Sequence, residues 1–349
     1  MKVRLPVRGA ILERQTYEVP AEGRFGNTRL DFNENTSGCG KAARRAVAEL
    51  STKKLAMYPE YEPATKKLAQ YFGVRADEIV LTNGGDDALR VFFDTFVEPR
   101  SHILTCEPTF PMYRYYAEIA GAKVKALRYS AMMEFPLKAA LEALQEKPRV
   151  LFLANPNNPT GTLVAKPAIA KILRAATETV VVLDEAYSEF SGESVVPWIR
   201  RYPQLFVAKT FSKAAGLAGL RLGAVLAQRD SLALVRRALP PYPVNVAALV
   251  AGVAAVEDKK TLSGYVREVK RLRVWFANEL ERRGARVFPS AGNFLLVDFS
   301  DAGPAIFREL QRSGIMVREK KDLGPGFARI TIGTESELKK LLRLVPRTV

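Results

Sequence analysis

Two short runs, Val150-Leu151-Phe152-Leu153 and Val180-Val181-Val182-Leu183, constrain the fold more than any other feature of this sequence. Neither alternates polar with apolar residues. Each therefore reads as a strand covered on both faces, as strands are in a parallel sheet with helices above and below it. Apolar runs at 78–81, 103–106, 124–127, 205–208 and 222–226 extend the set to seven, and segments such as 86–96 and 167–176 between them have helical period. Strands alternating with helices predict an α/β fold built on a mainly parallel seven-stranded sheet. Past Pro240-Pro241-Tyr242-Pro243 the rhythm changes. A long helix over 262–283 ends at Gly284, followed by strands at 293–297, 315–317 and 328–332 and helices at 305–312 and 335–344. This is the pattern of a smaller α+β unit. The expected division is a large domain over 36–245, an N-terminal arm over 1–35 and a small domain over 246–349.

Composition removes several functional classes. One histidine, His102, and two cysteines, Cys39 and Cys106, leave little from which to build a zinc site or a histidine-based triad. No metal is expected, and His102, opening an apolar run, reads as a strand-end residue. Two cysteines are too few for a disulfide framework, no apolar run approaches the roughly 20 residues of a membrane span, and Met1–Arg8 is not followed by a signal-like apolar stretch. A cytoplasmic protein without membrane contact is expected. The net charge of +16 invites a nucleic-acid reading, but the basic residues are spread along the chain, without zinc-finger spacing or an RNP-type aromatic motif. No nucleic-acid partner is expected; the other-class alternative is a non-catalytic basic nucleic-acid-binding or regulatory protein. A charge of this sign also steers anionic substrates.

Four constellations carry chemistry, and each follows a predicted strand. Thr210-Phe211-Ser212-Lys213, with Arg221 downstream, offers an amine for a Schiff base with an aldehyde cofactor, and hydroxyls and a guanidinium for that cofactor's phosphate. Pyridoxal phosphate needs both. Asp184-Glu185-Ala186-Tyr187 ends an all-apolar strand with a carboxylate that is costly to bury unless paired; a protonated pyridine nitrogen is a suitable partner. Thr82-Asn83-Gly84-Gly85-Asp86 joins a strand to a helix whose N-terminal N–H groups favour an anion, although a plain capped turn has the same wording. Asn155-Pro156-Asn157-Asn158-Pro159-Thr160-Gly161 reads as a turn, but one lying where parallel sheets bind ligands, with Asn158 projecting an amide there.

In this order the segments resemble those of the fold type I, class I/II PLP-dependent aminotransferases, and within them the histidinol-phosphate aminotransferases. The matching phrases also include Leu30-Asp31-Phe32-Asn33-Glu34-Asn35, Tyr58-Pro59, Pro108-Thr109-Phe110-Pro111-Met112-Tyr113 and Phe327-Ala328-Arg329-Ile330-Thr331-Ile332-Gly333-Thr334. The resemblance implies that Lys213 binds the cofactor and moves the proton, with Asp184 on the pyridine nitrogen and Asn158 and Tyr187 on the ring oxygen; Lys213, Asp184 and Tyr187 form the catalytic set. It implies Phe110 stacked on the ring, and a phosphate cup of Thr210, Ser212, Arg221 and the Gly84-Gly85-Asp86 turn. It further implies a homodimer in which Tyr58 reaches the neighbouring site. Arg329 is the implied clamp for the substrate carboxylate, with Arg318 on a substrate phosphate and Asn35 also in the substrate set. Thr36 stands where the family usually has proline, Phe110 where it often has tyrosine, and Tyr17 lacks the phrase that usually surrounds the family's N-terminal tyrosine.

The expected reaction is transfer of an amino group from L-histidinol phosphate to 2-oxoglutarate. An aromatic or broad-specificity amino-acid aminotransferase and a threonine-phosphate decarboxylase-like enzyme are the alternatives on the same cofactor residues.

Overall fold

The structure, a computed structural model, describes residues 6–12 and 23–347. Tyr17 and the rest of 13–22 in the expected N-terminal arm lie outside them. Along the chain the strands are β1 (Thr28–Leu30), β2 (Ile79–Thr82), β3 (His102–Glu107), β4 (Lys123–Arg128), β5 (Val150–Ala154), β6 (Val180–Asp184), β7 (Leu205–Thr210) and β8 (Gly223–Ala227). They continue with β9 (Arg286–Val287), β10 (Phe294–Asp298), β11 (Ile315–Glu319) and β12 (Phe327–Thr331). Seven of them form one sheet in the order β2-β8-β7-β6-β5-β3-β4, in which only β8 runs against its neighbours. All seven predicted strands are present, and His102 opens β3.

The β5 and β6 runs are apolar throughout because both faces are covered. Along β5, Leu151 and Leu153 enter one core, with Ile169, Ile172 and Leu173 of the helix Lys166–Ala175, while Val150, Phe152 and Ala154 enter another, with Leu89, Phe92 and Phe93 of the helix Gly84–Phe96. β6 and β7 divide the same way, Val181, Leu183, Leu205 and Val207 to the first core and Val182, Phe206 and Ala208 to the second. Each large side chain so buried contributes about 1.5–3 kcal/mol. Phe93 and Tyr113 both stack on Phe152, at centroid distances of 4.8 and 5.4 Å.

The second sheet has the order β1-β11-β12-β10-β9 and its own core, which includes Phe276, Phe294, Val297 and Ile330. The long helix Lys259–Glu281 covers it, burying Val269, Leu272, Phe276 and Leu280. β1 pairs in parallel with β11, Thr28 opposite Ile315 and Leu30 opposite Val317. The segment after β1 is thereby laid across the carboxyl ends of β5, β6 and β7. The helix Val246–Glu257 buries Ala248, Leu249 and Ala251 in the first core of the large sheet. No helix among the described residues is long and apolar enough to cross a membrane.

Candidate active site

The carboxyl ends of β5, β6 and β7 open into a cavity of about 490 Å³, bounded opposite by β11, β12 and the segment after β1. Asp184, Asn158, Tyr187, Phe110, Gly85, Asp86, Thr210, Ser212, Lys213, Arg221, Arg318 and Arg329 all line it.

Strand alternation delivers Asp184. Val182 and Asp184 share a face, so the carboxyl emerges above the core containing Tyr113 and Phe152. Its Oδ2 accepts from the Tyr113 hydroxyl at 2.8 Å and its Oδ1 from the Ala186 amide at 3.1 Å. Burial pushes its pKa above the usual carboxylate range, although both hydrogen bonds oppose this. An ionised carboxylate held only by neutral donors is a site in want of a positive charge. A protonated ring nitrogen supplies one.

Lys213 follows β7, and its Nζ donates to the Phe32 carbonyl at 2.8 Å. Burial, and next the Arg329 guanidinium, lower its pKa from 10.5 to about 8. An amine so placed is still mostly protonated near neutral pH, but it keeps a far larger neutral, and therefore nucleophilic, fraction there than an ordinary lysine. Its Nζ lies 5.8 Å from the centre of the Tyr187 ring. The Tyr187 hydroxyl accepts from Asn33 Nδ2 at 3.0 Å.

The backbone at the amino end of the helix Gly84–Phe96 is shaped for an anion. Gly84 has φ +83°, and a Cβ there would come within 2.6 Å of the Arg221 guanidinium. A Cβ on Gly223 would come within 2.5 Å of the Gly84 carbonyl. Only glycine lets β2, β8 and the arginine converge this closely. Asn83 gives this helix no side-chain cap, Thr210 Oγ1 and Ser212 Oγ lie 3.0 Å apart, and Arg221 pairs with Asp86 at 3.1 Å. Helix N–H groups, two hydroxyls and a guanidinium form the donor set a phosphate ester requires.

On the opposite wall, Arg329 Nη1 donates to Asn158 Oδ1 at 2.6 Å, and Nη2 to the Asp31 carbonyl. The β11–β12 register sets Arg318 directly opposite Arg329. The cavity therefore has a fit for pyridoxal phosphate on its large-sheet side and two guanidinium groups on its small-sheet side. Phe110 stands edge-on to Tyr113 at 5.9 Å.

Three expected site residues do not line this cavity. Asn35 accepts from the Ser37 amide at 3.1 Å and lies beside Gly216, while its neighbour Glu34 lines the cavity. Tyr58 is 76% exposed and stacks on Tyr242 at 4.3 Å. Gly84 lies behind the lining, against Arg221. Sequence reasoning assigned no role to Tyr113, Asn33, Phe32, Glu34 or Lys320. The first four fall within quoted family phrases, which was the available signal; Lys320 falls in none of them. Arg24, bonded to Asp31 at 2.7 Å and Glu34 at 2.8 Å and lying 4.0 Å from the Phe32 ring centre, fastens the segment whose carbonyl receives Lys213.

Residues 27–345 match the family model for aminotransferase class I and II. The chain belongs to this family, and it is a PLP-dependent aminotransferase of fold type I. It is 34% identical over 322 residues to a histidinol-phosphate aminotransferase of Geobacillus sp., covering 90% of this chain and 88% of that protein. To histidinol-phosphate aminotransferase 1 of Cupriavidus pinatubonensis it is 36% identical over 338 residues, with 93% and 89% covered. The crystal structure of histidinol-phosphate aminotransferase from Sinorhizobium meliloti in complex with pyridoxal 5′-phosphate superposes with a TM-score of 0.85 at 25% identity, covering 91% of this chain and 90% of that one.

Proposed function

We propose that this aminotransferase takes the amino group of L-histidinol phosphate and passes it to 2-oxoglutarate. The observation that carries the reading is the pair Arg318 and Arg329, cross-strand neighbours that both face the cavity. The donor bears a phosphate ester one carbon from the carbon carrying the amine, while the acceptor bears a carboxylate directly on its keto carbon. Two guanidinium groups at different depths suit two anions at different distances. The names of the relatives point the same way. An aromatic or broad-specificity aminotransferase needs only the inner arginine, and neither it nor a threonine-phosphate decarboxylase is favoured by these relatives.

Bound pyridoxal phosphate supplies an aldehyde to receive the amine and a ring that withdraws electrons from the reacting carbon. In this reading Lys213 Nζ holds the cofactor and then carries the proton to and from the substrate carbon. Asp184 keeps the ring nitrogen protonated, Tyr187 and Asn158 bind the ring oxygen, and Phe110 stacks on the ring face. Thr210, Ser212, Arg221 and the Gly84-Gly85-Asp86 turn hold the phosphate. Arg329 orients the carboxylate and Arg318 the substrate phosphate.

The proposal extends to a homodimer in which Tyr58 completes the neighbouring site. Its support is a patch of exposed large apolar side chains, Leu55, Met57, Tyr58 and Tyr242. A cytoplasmic location is proposed on the two free thiols, Cys39 and Cys106. The division into a large domain over 36–245 and a small one from 1–35 and 246–349 is proposed with the helix Val246–Glu257 as the joint, since it begins the second part in sequence and packs on the first.

The test mixes the PLP-loaded protein in turn with L-histidinol phosphate, L-phenylalanine and L-threonine phosphate, following conversion to the amine form of the cofactor by absorbance and release of carbon dioxide. Histidinol phosphate is expected to convert fastest, without carbon dioxide. Conversion by phenylalanine alone overturns the phosphate reading.

A further inference from the structure

β11 ends at Glu319, yet its ladder runs one residue further, the Lys320 amide donating to the Phe327 carbonyl at 2.8 Å. Extended backbone turns successive side chains to opposite sides. Arg318 and Lys320 both line the cavity, while Glu319 and Lys321 line an outer groove beside Phe307 and Arg308. The outer two have each other, Lys321 Nζ lying 3.5 Å from Glu319 Oε2. Lys320 Nζ is held 3.0 Å from Asp322 Oδ1, and its side chain is 19% exposed against 57% for that carboxylate.

We propose that Lys320 is a specificity-determining residue, forming with Arg318 an outer two-cation subsite for a phosphate ester on the amino donor. This rests on the phosphate-donor reading above. A phosphate monoester carries about −1.5 to −2 near neutral pH, so one guanidinium leaves much of its charge uncompensated. Lys320 supplies the second cation, as a compact ammonium on a flexible stem. Its pair with Asp322 faces solvent and is worth little, so the ammonium exchanges a hydrated carboxylate for a partly enclosed dianion. A donor with a carboxylate on its reacting carbon carries a single charge at the depth of Arg329 and does not extend to Lys320. The residue therefore separates phosphate-bearing amines from ordinary amino acids.

The test compares kcat/KM for L-histidinol phosphate and L-phenylalanine in the unsubstituted holoenzyme, Lys320→Gln and Lys320→Arg. In Lys320→Gln the ratio favouring histidinol phosphate is expected to fall roughly tenfold, through KM for that donor with little movement in kcat, because a charge-assisted contact present equally in ground and transition states is lost. Lys320→Arg is expected to recover most of the ratio. A ratio within about twofold of the unsubstituted protein in Lys320→Gln overturns the role of Lys320 while leaving the phosphate reading standing. An unsubstituted enzyme with no preference for histidinol phosphate overturns both.

Discussion

Lys213 shows how a residue's surroundings become its chemistry. Burial and the Arg329 guanidinium bring its amine from 10.5 to about 8. The same shift carries a stability cost. Below about pH 8 the cofactor-free folded protein must keep a buried ammonium that the unfolded chain leaves in water. Between about 8 and 10.5 the unfolded state binds more protons than the folded one, so stability rises with pH; above 10.5 the cost is gone. Lys213→Met is expected to raise the melting temperature of the cofactor-free protein near pH 7, and the gain should shrink to nothing as the pH approaches 10.5. Thermal melts across that window measure it. At this scale the sequence was informative for residues in local phrases: Lys213, Asp184, Asn158, Tyr187, Thr210, Ser212, Arg221, Arg318 and Arg329 all reach one cavity. It was silent where partners converge from afar. That Tyr113 serves Asp184 depends on a helix after β3 meeting the end of β6, and no spacing records that.

At the scale of elements, β6 and β7 are locked on the face away from the cavity. Lys209 and Glu185 form a buried ion pair at 2.7 Å, with Ser194 Oγ and the Val195 amide also donating to the carboxylate and Ser188 Oγ accepting from the ammonium at 2.6 Å. The strand parity that points Lys209 and Glu185 downward points Thr210 and Asp184 upward, so the pair fixes the platform on which both are presented. Lys209→Met is expected to cost roughly 3–5 kcal/mol, because Glu185 keeps a buried charge without its cation, and Lys209→Met combined with Glu185→Leu to cost less than the single change. Urea unfolding of the two variants measures the difference. Sequence patterning found all seven strands of this sheet because six carry apolar runs covered on both faces, and the edge strand β4 alternates exposed Lys123 and Lys125 with Val124 and Ala126. It missed β1 and β9, whose three and two residues are too short to show a period and are strands only by virtue of β11 and β10 beside them.

For the whole molecule, the proposed dimer decides what Tyr58 is for. Within one chain it stacks on Tyr242 and is not part of the cavity lining. Sedimentation at micromolar concentration is expected to give twice the chain mass. Tyr58→Ala is expected to weaken retention of pyridoxal phosphate roughly tenfold, the loss of one hydrogen bond to a charged group; titration of the cofactor by absorbance reads this. A monomeric protein, or a dimer whose cofactor affinity ignores the substitution, removes Tyr58 from the site. The pairing of β1 with β11 has a consequence of another kind. Thr28–Leu30 leave the ribosome long before their partner strand, Ile315–Glu319. The large sheet can close around β5, β6 and β7 while synthesis is still under way, since domains fold as units during translation. The Phe32 carbonyl that receives Lys213 can be set in place only after β11 has emerged as well. A nascent chain truncated before β11 should therefore hold most of its parallel sheet and lack the wall that makes its lysine reactive.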